Sequence, residues 1–378
     1  MDPAYPAARA VAGRVHDYFR RQIDRVRLED VGRVAPQATE QTIEALIDTA
    51  FWASLRREEG YPPKISMAFV PPVESDVGLL LERPLPVVPD VLTQLAPAVE
   101  RPGIHLGVWQ GTDGLWVWGA TRALPPLCLV LEVVAPGVIV IKHQRKDDSG
   151  KFINVVVLEG DRVKIIEQHN AETPDCPRLV ASLLGFRSSA FWNAPTDALV
   201  ELALSMRAHG RGGTLLVVQH GTDDWLKSIV VPVTYAVAPP FARLSDLMRQ
   251  NADERSDRQW GDAFRRVIEG IAGLTAVDGA TILSDRYEVL GFGAKIVLRS
   301  GSGRAERILL TEPVEKAKPA IVDVTQLGGT RHLSAAQFVY DQHGAVALVA
   351  SQDGQFTVFE WSSQAGLVHA HRVEALLL

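Results

Sequence analysis

The sequence has only two cysteines, Cys128 and Cys176, in 378 residues. Two thiols cannot supply the disulfide framework of a small secreted domain or a cysteine-rich zinc site. No segment reaches the roughly 18 uninterrupted apolar residues of a membrane-spanning helix. The N-terminus also lacks the charged and then apolar segments of a signal peptide. These absences predict a soluble, cytoplasmic protein with no membrane partner.

A block of positive charge is absent as well. The formal net charge is −6, and a non-specific nucleic-acid surface needs clustered lysine and arginine. We therefore expect no nucleic-acid partner, although a local basic pocket for a nucleotide is compatible with this charge. The composition, 47% hydrophobic and 22% charged, is that of a globular protein, and the length suffices for two domains.

The first half begins with helical periodicity and continues with short apolar runs. Apolar residues at spacings of three and four predict helices over 4–29 and 39–58, the second capped by Thr39. Turn residues then separate runs of strand length, several of them joined as hairpins. The runs are 65–70, 77–81, 104–109, 115–118, 127–134, 138–143 and 153–158. We expect an antiparallel-rich sheet with helices at its N-terminal end.

The second half predicts a mixed sheet flanked by helices. The polar, proline-rich stretch 168–177 has the composition of a linker, which divides the chain into domains at 1–175 and 195–378 with a lead-in at 176–194. Helices are expected from 195–197 to 209 and over 240–252, 257–274 and 335–340, and strands over 214–218, 281–283 and 345–350. The fold class is therefore α/β (α+β) in two domains.

Two short motifs in this half suggest phosphate chemistry. Gly328-Gly329 precedes a helix start, where the backbone can approach a ligand and free amides suit an anion. Arg331 and His332 add donors at the same point, arginine as a fork that matches phosphate oxygens. Asp278 stands at a strand start, where a carboxylate can hold a divalent cation or orient a hydroxyl nucleophile. By spacing alone, a simple turn at Asp278 and a surface charge at Arg331 are the favoured explanation of these residues.

The order of the motifs resembles the diadenylate cyclase (DAC) family over roughly residues 195–362. That family carries Asp-Gly-Ala, then Gly-Thr-Arg-His-Arg-x-Ala, then Ser-Glu-Glu. The corresponding segments here are 278–280, 329–336 and 351–353. The first half resembles, more loosely, the DACNV probable sensor domain, through the segments 133–142 and 151–160.

The resemblance implies synthesis of cyclic di-AMP from two ATP, regulated by an N-terminal sensor. Asp278 would then be catalytic and hold Mg²⁺ or Mn²⁺. The nucleotide-binding residues would be Gly279, Ala280, Gly329, Thr330, Arg331, His332, Ser351 and Asp353. Each subunit would bring one ATP, so the active form would be a homo-oligomer with sites face to face.

Three departures from the family pattern leave a second hypothesis open. Leu333 stands where the family has its second arginine, and Gln352-Asp353 stands for Glu-Glu. The segment 300–326 is also longer than is usual in the family. The alternative is a DAC-fold module that binds a nucleotide or cyclic dinucleotide without turning it over. Leu333 itself either packs in the core or faces the nucleotide.

Weaker signals favour structural roles. Gly291 and Gly293 lack the rest of a dinucleotide fingerprint and are interpreted as a hairpin turn. His369 and His371 alternate on a predicted strand, but two imidazoles without a third ligand nearby make a poor metal site. The tryptophans Trp109, Trp116 and Trp118 are more typical of a sheet core than of a ligand pocket.

Overall fold

The computed structural model describes residues 4–28, 34–72, 78–144, 152–166, 198–255 and 257–378. The chain forms two compact units, Met1–Ile166 and Glu167–Leu377. The linker predicted at 168–177, the lead-in at 176–194 and the helix start predicted at 195–197 lie outside the described residues, as does Cys176, so the domain boundary stays a prediction. Among the described helices, none has both the length and the apolar character to cross a bilayer.

In its described residues, the first unit consists of an eight-stranded sheet and three helices. The helices are α1 (Pro6–Leu28), α2 (Glu40–Ser54) and α3 (Pro89–Val99). The strands are β1 (Ile65–Phe69), β2 (Leu79–Pro86), β3 (His105–Gly111), β4 (Gly114–Thr121), β5 (Leu129–Ala135), β6 (Val138–Gln144), β7 (Phe152–Glu159) and β8 (Arg162–Ile165). Their order is β2-β4-β3-β1-β5-β6-β7-β8. Among the described strands of this sheet, only the pairing of β1 with β3 is parallel, so the predicted antiparallel-rich sheet is confirmed.

Local signals explain most of these elements. The Thr39 hydroxyl accepts from the Thr42 amide at 3.1 Å and caps α2, as predicted. Helices α1 to α3 contribute apolar side chains to one core with the sheet. Trp118 is 4% exposed and donates from Nε1 to the Val70 carbonyl at 2.8 Å. This supports its interpretation as a core residue.

The second unit is a nine-stranded mixed sheet. Its helices are α4 (Ala198–Ala208), α5 (Arg243–Arg249), α6 (Ala252–Arg255), α7 (Arg258–Thr275) and α8 (Thr330–Asp341). Its strands are β9 (Gly213–Val218), β10 (Tyr235–Phe241), β11 (Ala280–Ser284), β12 (Val289–Ala294), β13 (Arg307–Thr311), β14 (Ala320–Asp323), β15 (Val346–Ala350), β16 (Phe356–Ser362) and β17 (Leu367–Arg372). The order is β10-β12-β11-β9-β15-β16-β17-β13-β14. The predicted α/β class, with a mixed sheet and flanking helices, is confirmed.

Helices α7 and α8 lie on opposite faces of this sheet. A Cβ at Gly213 would stand 2.6 Å from the Thr275 carbonyl of α7, whereas Leu216 packs in the core that contains Phe338 of α8. Neighbouring residues of a strand point to opposite faces, so odd positions of β9 face α7 and even positions face α8. Residues at the start of α8 and at the start of β11 line one cavity.

The interpretation of Gly291 and Gly293 as a hairpin turn is wrong. Both lie within β12, which pairs with β10 and β11. Gly293 has φ +66°, and a Cβ there would stand 2.7 Å from the Tyr235 ring. Glycine is therefore suited to this position, because β12 is bulged here and the Tyr235 ring packs closely against it.

Candidate functional site

The motifs of the second unit meet around one cavity of about 450 Å³. All of the predicted site residues except Asp353 line it. The lining residues are Thr214, Asp278, Gly279, Ala280, Ala294, Lys295, Ile296, Gly329, Thr330, Arg331, His332, Ser334 and Ser351. The cavity thus joins the start of β11, the end of β12, the first turn of α8 and the end of β15.

Gly279 positions the Asp-Gly-Ala segment. Its φ is +113°, and a Cβ would stand 2.5 Å from the Gly293 carbonyl carbon. Both the left-handed backbone and the close approach of two chains require glycine here. Asp278 is thereby held at the mouth of the cavity, next to the end of β12.

Lys295 is a site residue that the sequence analysis missed. Its Nζ donates to Asp278 Oδ2 at 2.5 Å. This lysine lowers the pKa of Asp278, by the hydrogen bond first and by its charge, and Arg331 adds a smaller effect. The antiparallel pairing of β11 with β12 brings Ala280 opposite Ala294, so the hairpin itself indicates that Lys295 lies near Asp278.

The pair between Lys295 and Asp278 is exposed. The side chains are 51% and 92% accessible to solvent, and exposed ion pairs contribute little net stability. A cation or polyanion entering the cavity can therefore exchange partners with this pair at small cost.

The first turn of α8 presents donors to the cavity. Its N-cap is Gly329, which makes no side-chain cap, so the amides of the first turn remain suited to an anion. The Arg331 guanidinium is packed near Gly212, where a Cβ would stand 3.1 Å from one of its nitrogens. Gly212 has φ +71°, and its lack of a side chain makes room for the arginine.

His332 is buried beside the same turn, with 2% of its surface exposed. Within the described part of the chain, its buried Nε2 has no hydrogen-bond partner. Burial is the main cause that lowers its pKa; the charge of Asp353 opposes the shift, and Arg372 and Arg331 add to it. A buried polar atom without a partner is costly, so a side-chain movement that gave this nitrogen a ligand or water partner would remove that cost.

Asp353 lies next to the cavity lining. Its carboxylate accepts a hydrogen bond from the Ser351 hydroxyl, which is the largest cause of its lowered pKa. Asp353 therefore contacts the cavity lining through Ser351. Among the described residues, Leu333 lines neither the cavity nor the apolar core around α8.

Comparison with known proteins bears first on the other unit. Residues 33–122 match the family model of the probable sensor domain DACNV. The match lies upstream of segments 133–142 and 151–160, which had suggested this family in the sequence. The chain thus contains a region related to a probable sensor domain.

Solved structures offer weak similarities. A hypothetical membrane spanning protein from Bacillus cereus is 15% identical, with a TM-score of 0.26, over 46% of this chain and 60% of that chain. DacA from Staphylococcus aureus, in a double cysteine mutant, is 12% identical, with a TM-score of 0.23, over 46% of this chain and 83% of that chain. No curated protein matches the sequence.

Proposed function

We propose that the second unit binds ATP in this cavity and is a diadenylate cyclase. The observation that carries the proposal is the convergence of Asp278, the first turn of α8 and Ser351 around one cavity. Each cycle would join two ATP molecules. The 3′-oxygen of each attacks the α-phosphorus of the other, and two pyrophosphates leave as cyclic di-AMP forms.

The cavity residues would have two kinds of role, nucleotide binding and orientation of the reacting hydroxyl. Arg331 and the amides of the first turn of α8 would bind the triphosphate, with the Thr330 and Ser351 hydroxyls beside them. Gly279 and Ala280 let the nucleotide approach the backbone. Asp278 would accept a hydrogen bond from the attacking 3′-hydroxyl and so orient it.

The site fits a divalent cation that arrives with its nucleotide. Mg²⁺ commonly binds one or two carboxylates together with substrate phosphates, and Asp278 supplies the carboxylate beside the Ser351 and Thr330 hydroxyls. Asp278 would hold Mg²⁺ or Mn²⁺ once Lys295 releases it. The ion supplies screening of negative charge on the phosphates.

The reaction needs two nucleotides, and the cavity belongs to one chain. We infer a homo-oligomer in which two loaded sites face each other. Activity per protein should then rise with protein concentration until the dimer is populated. The DACNV-like region would regulate this unit as its sensor.

A second candidate is a module that binds the nucleotide without turnover. The ion pair of Asp278 with Lys295 favours it, because a lysine that stays on the carboxylate excludes the metal. The absence of the family arginine at Leu333 points the same way. Lys295→Gln tests the role of Lys295: it should raise the metal-dependent yield if Lys295 only blocks Asp278, and should weaken ATP binding if Lys295 contacts phosphate.

The deciding experiment is incubation of the full chain with ATP and Mg²⁺ or Mn²⁺, followed by detection of cyclic di-AMP by mass spectrometry. Asp278→Asn should abolish the product and leave ATP binding largely intact. Asp262→Asn, an exposed carboxylate on α7, is the control and should retain full yield. ATP binding without product from the unmutated chain selects the binding module, and no ATP binding at all rejects both candidates.

A further inference from the structure

A second cluster of metal-ligand residues lies on the same sheet, away from the cavity. Glu360 lies on β16, and His369 and His371 lie on β17. Their ligand atoms are within 4.8 Å of one another. From the sequence, the two histidines made a poor metal site because no third ligand was near them along the chain. In the fold, strand pairing brings Glu360 beside them as the third ligand.

The strand register explains why these side chains meet. Glu360 is paired directly with His369, and His371 lies two residues further along the same strand. Val368, Ala370 and Phe359 pack in the core around α8. Because side chains alternate, Glu360, His369 and His371 all point to the opposite face.

The contacts within the cluster are close. His371 Nε2 lies 3.5 Å from Glu360 Oε1, and the ring centroids of His369 and His371 are 3.7 Å apart. Tetrahedral zinc ligands at about 2.0–2.1 Å from the metal lie about 3.3–3.5 Å from one another. Small side-chain movements are therefore enough to bring the three groups onto one ion.

Thr311 contacts both imidazoles. Its hydroxyl lies 3.1 Å from His369 Nε2 and 2.8 Å from His371 Nδ1. A metal bound by the other nitrogen of each ring, Nδ1 of His369 and Nε2 of His371, would keep both contacts. Outer contacts of this kind fix ring orientation in metal sites, and Thr311 is paired directly with His371 in the β13–β17 ladder.

We propose that Glu360, His369 and His371 bind a divalent first-row transition metal such as zinc. Two imidazoles with one carboxylate are a known ligand set for zinc and for non-haem iron. The two imidazoles are buried, whereas the Glu360 side chain is 21% accessible. Water can therefore reach the fourth coordination position. The ion would clamp β16 to β17, and the proposal is independent of any activity at Asp278.

The test uses the full chain, stripped with a chelator and titrated with Zn²⁺ alone by calorimetry. We expect one Zn²⁺ per chain, and at least a tenfold loss of affinity in each of Glu360→Gln, His369→Asn and His371→Asn. Thr311→Val keeps every ligand and should weaken binding about 10- to 100-fold. His220→Asn is the matched control, because His220 pairs with Glu288 at 2.8 Å on the surface; it should bind as the unmutated chain does.

A measurement on the unmutated chain tests the site even if the ligand variants fail to fold. Co²⁺ bound to the unmutated chain should give the intense visible absorption of a four- or five-coordinate site, and Zn²⁺ should displace it. An absorption no stronger than that of aqueous Co²⁺ would overturn the proposal. So would an unmutated chain that binds no Zn²⁺, or equal Zn²⁺ affinity in the unmutated chain and the three ligand variants.

Discussion

Both units gather polar side chains on a sheet, but those side chains have different partners. In the first unit, Ser66 and His105 are buried and share a hydrogen bond of 2.7 Å between Oγ and Nδ1. Lys142 contacts Glu132 on the neighbouring strand and lies over the Phe152 ring. In the second unit, the charged Lys295 and Asp278 stand exposed at a cavity.

The difference separates structural polarity from a candidate binding site. Buried polar groups that pair with each other satisfy their hydrogen bonds within the protein, and His105 with Ser66 is such a pair. His332 Nε2 has no such partner among the described residues, and it lies at a helix N-terminus beside an arginine. Groups of the second kind are the ones that a ligand completes.

The largest expected effect is that of Gly279→Ala, which should destroy the cavity. The alanine would combine φ +113° with a Cβ 2.5 Å from backbone, so we expect about 2–4 kcal/mol of destabilisation and loss of ATP binding. Hydrogen exchange of β11 and β12 and an ATP titration measure the two effects.

Gly270→Ala is the control for that substitution. A Cβ at Gly270, within α7, meets nothing within 4 Å, and alanine in a helix is favoured over glycine by about 0.5–1 kcal/mol. The control should therefore be as stable as the unmutated chain or more so. Equal stability and ATP affinity in Gly279→Ala would show that the close approach to Gly293 has no importance.

The next effect concerns the first unit and its response to pH. Burial, with a smaller effect of the Lys142 charge, lowers the pKa of His105 from its usual 6.5 to about 4. The folded state binds fewer protons than the unfolded state between these values. The contribution of His105 to stability is therefore full above about pH 6.5 and is lost as the pH falls towards 4, by about 3 kcal/mol in total.

Hydrogen exchange of the β1 and β3 amides across this pH range measures the loss. In His105→Gln, which keeps a polar group for Ser66, the dependence should be much weaker. His16→Gln, on the partly exposed face of α1, should retain it. An unchanged pH dependence in His105→Gln would mean that another group is responsible.

The main elements were predicted from local signals in the sequence, whereas most of the cavity lining was predicted from the resemblance to a known family. Thr39 capped its helix, and the motifs from Asp278 to Ser351 ended at one cavity. Helix α3 was missed: Pro89 suits a first helical position, but with Pro97 inside the helix the stretch looked like turns. A proline in a helix interior is tolerated only through tertiary contacts.

Other residues could not be found because their partners are set by strand register. Lys295 reaches Asp278 only once β11 and β12 pair, and Glu360 reaches His369 only once β16 and β17 pair. A single sequence gives the strands but not their alignment, since a shift of one residue moves every side chain to the other face. The Lys295–Asp278 and Glu360–His369 contacts, on which both proposed sites rest, therefore could not be found from the sequence.

The smallest effect is expected for Leu333→Arg, although this position is the most visible departure from the family pattern. Leu333 is half-buried on the flank of α8, while its neighbours His332, Ala335 and Ala336 are buried against the sheet. A long side chain at such a flank can bury its methylenes and keep its charge in water. We therefore expect a stability change below about 1 kcal/mol and an ATP affinity within threefold of the unmutated value.

Ala336→Arg is the control that places the same charge in the core, and it should prevent stable folding of the unit. Urea denaturation and ATP titration of both variants check this. A tenfold gain in affinity or cyclic di-AMP yield in Leu333→Arg would show instead that this flank reaches the nucleotide, and that its leucine has weakened a phosphate contact.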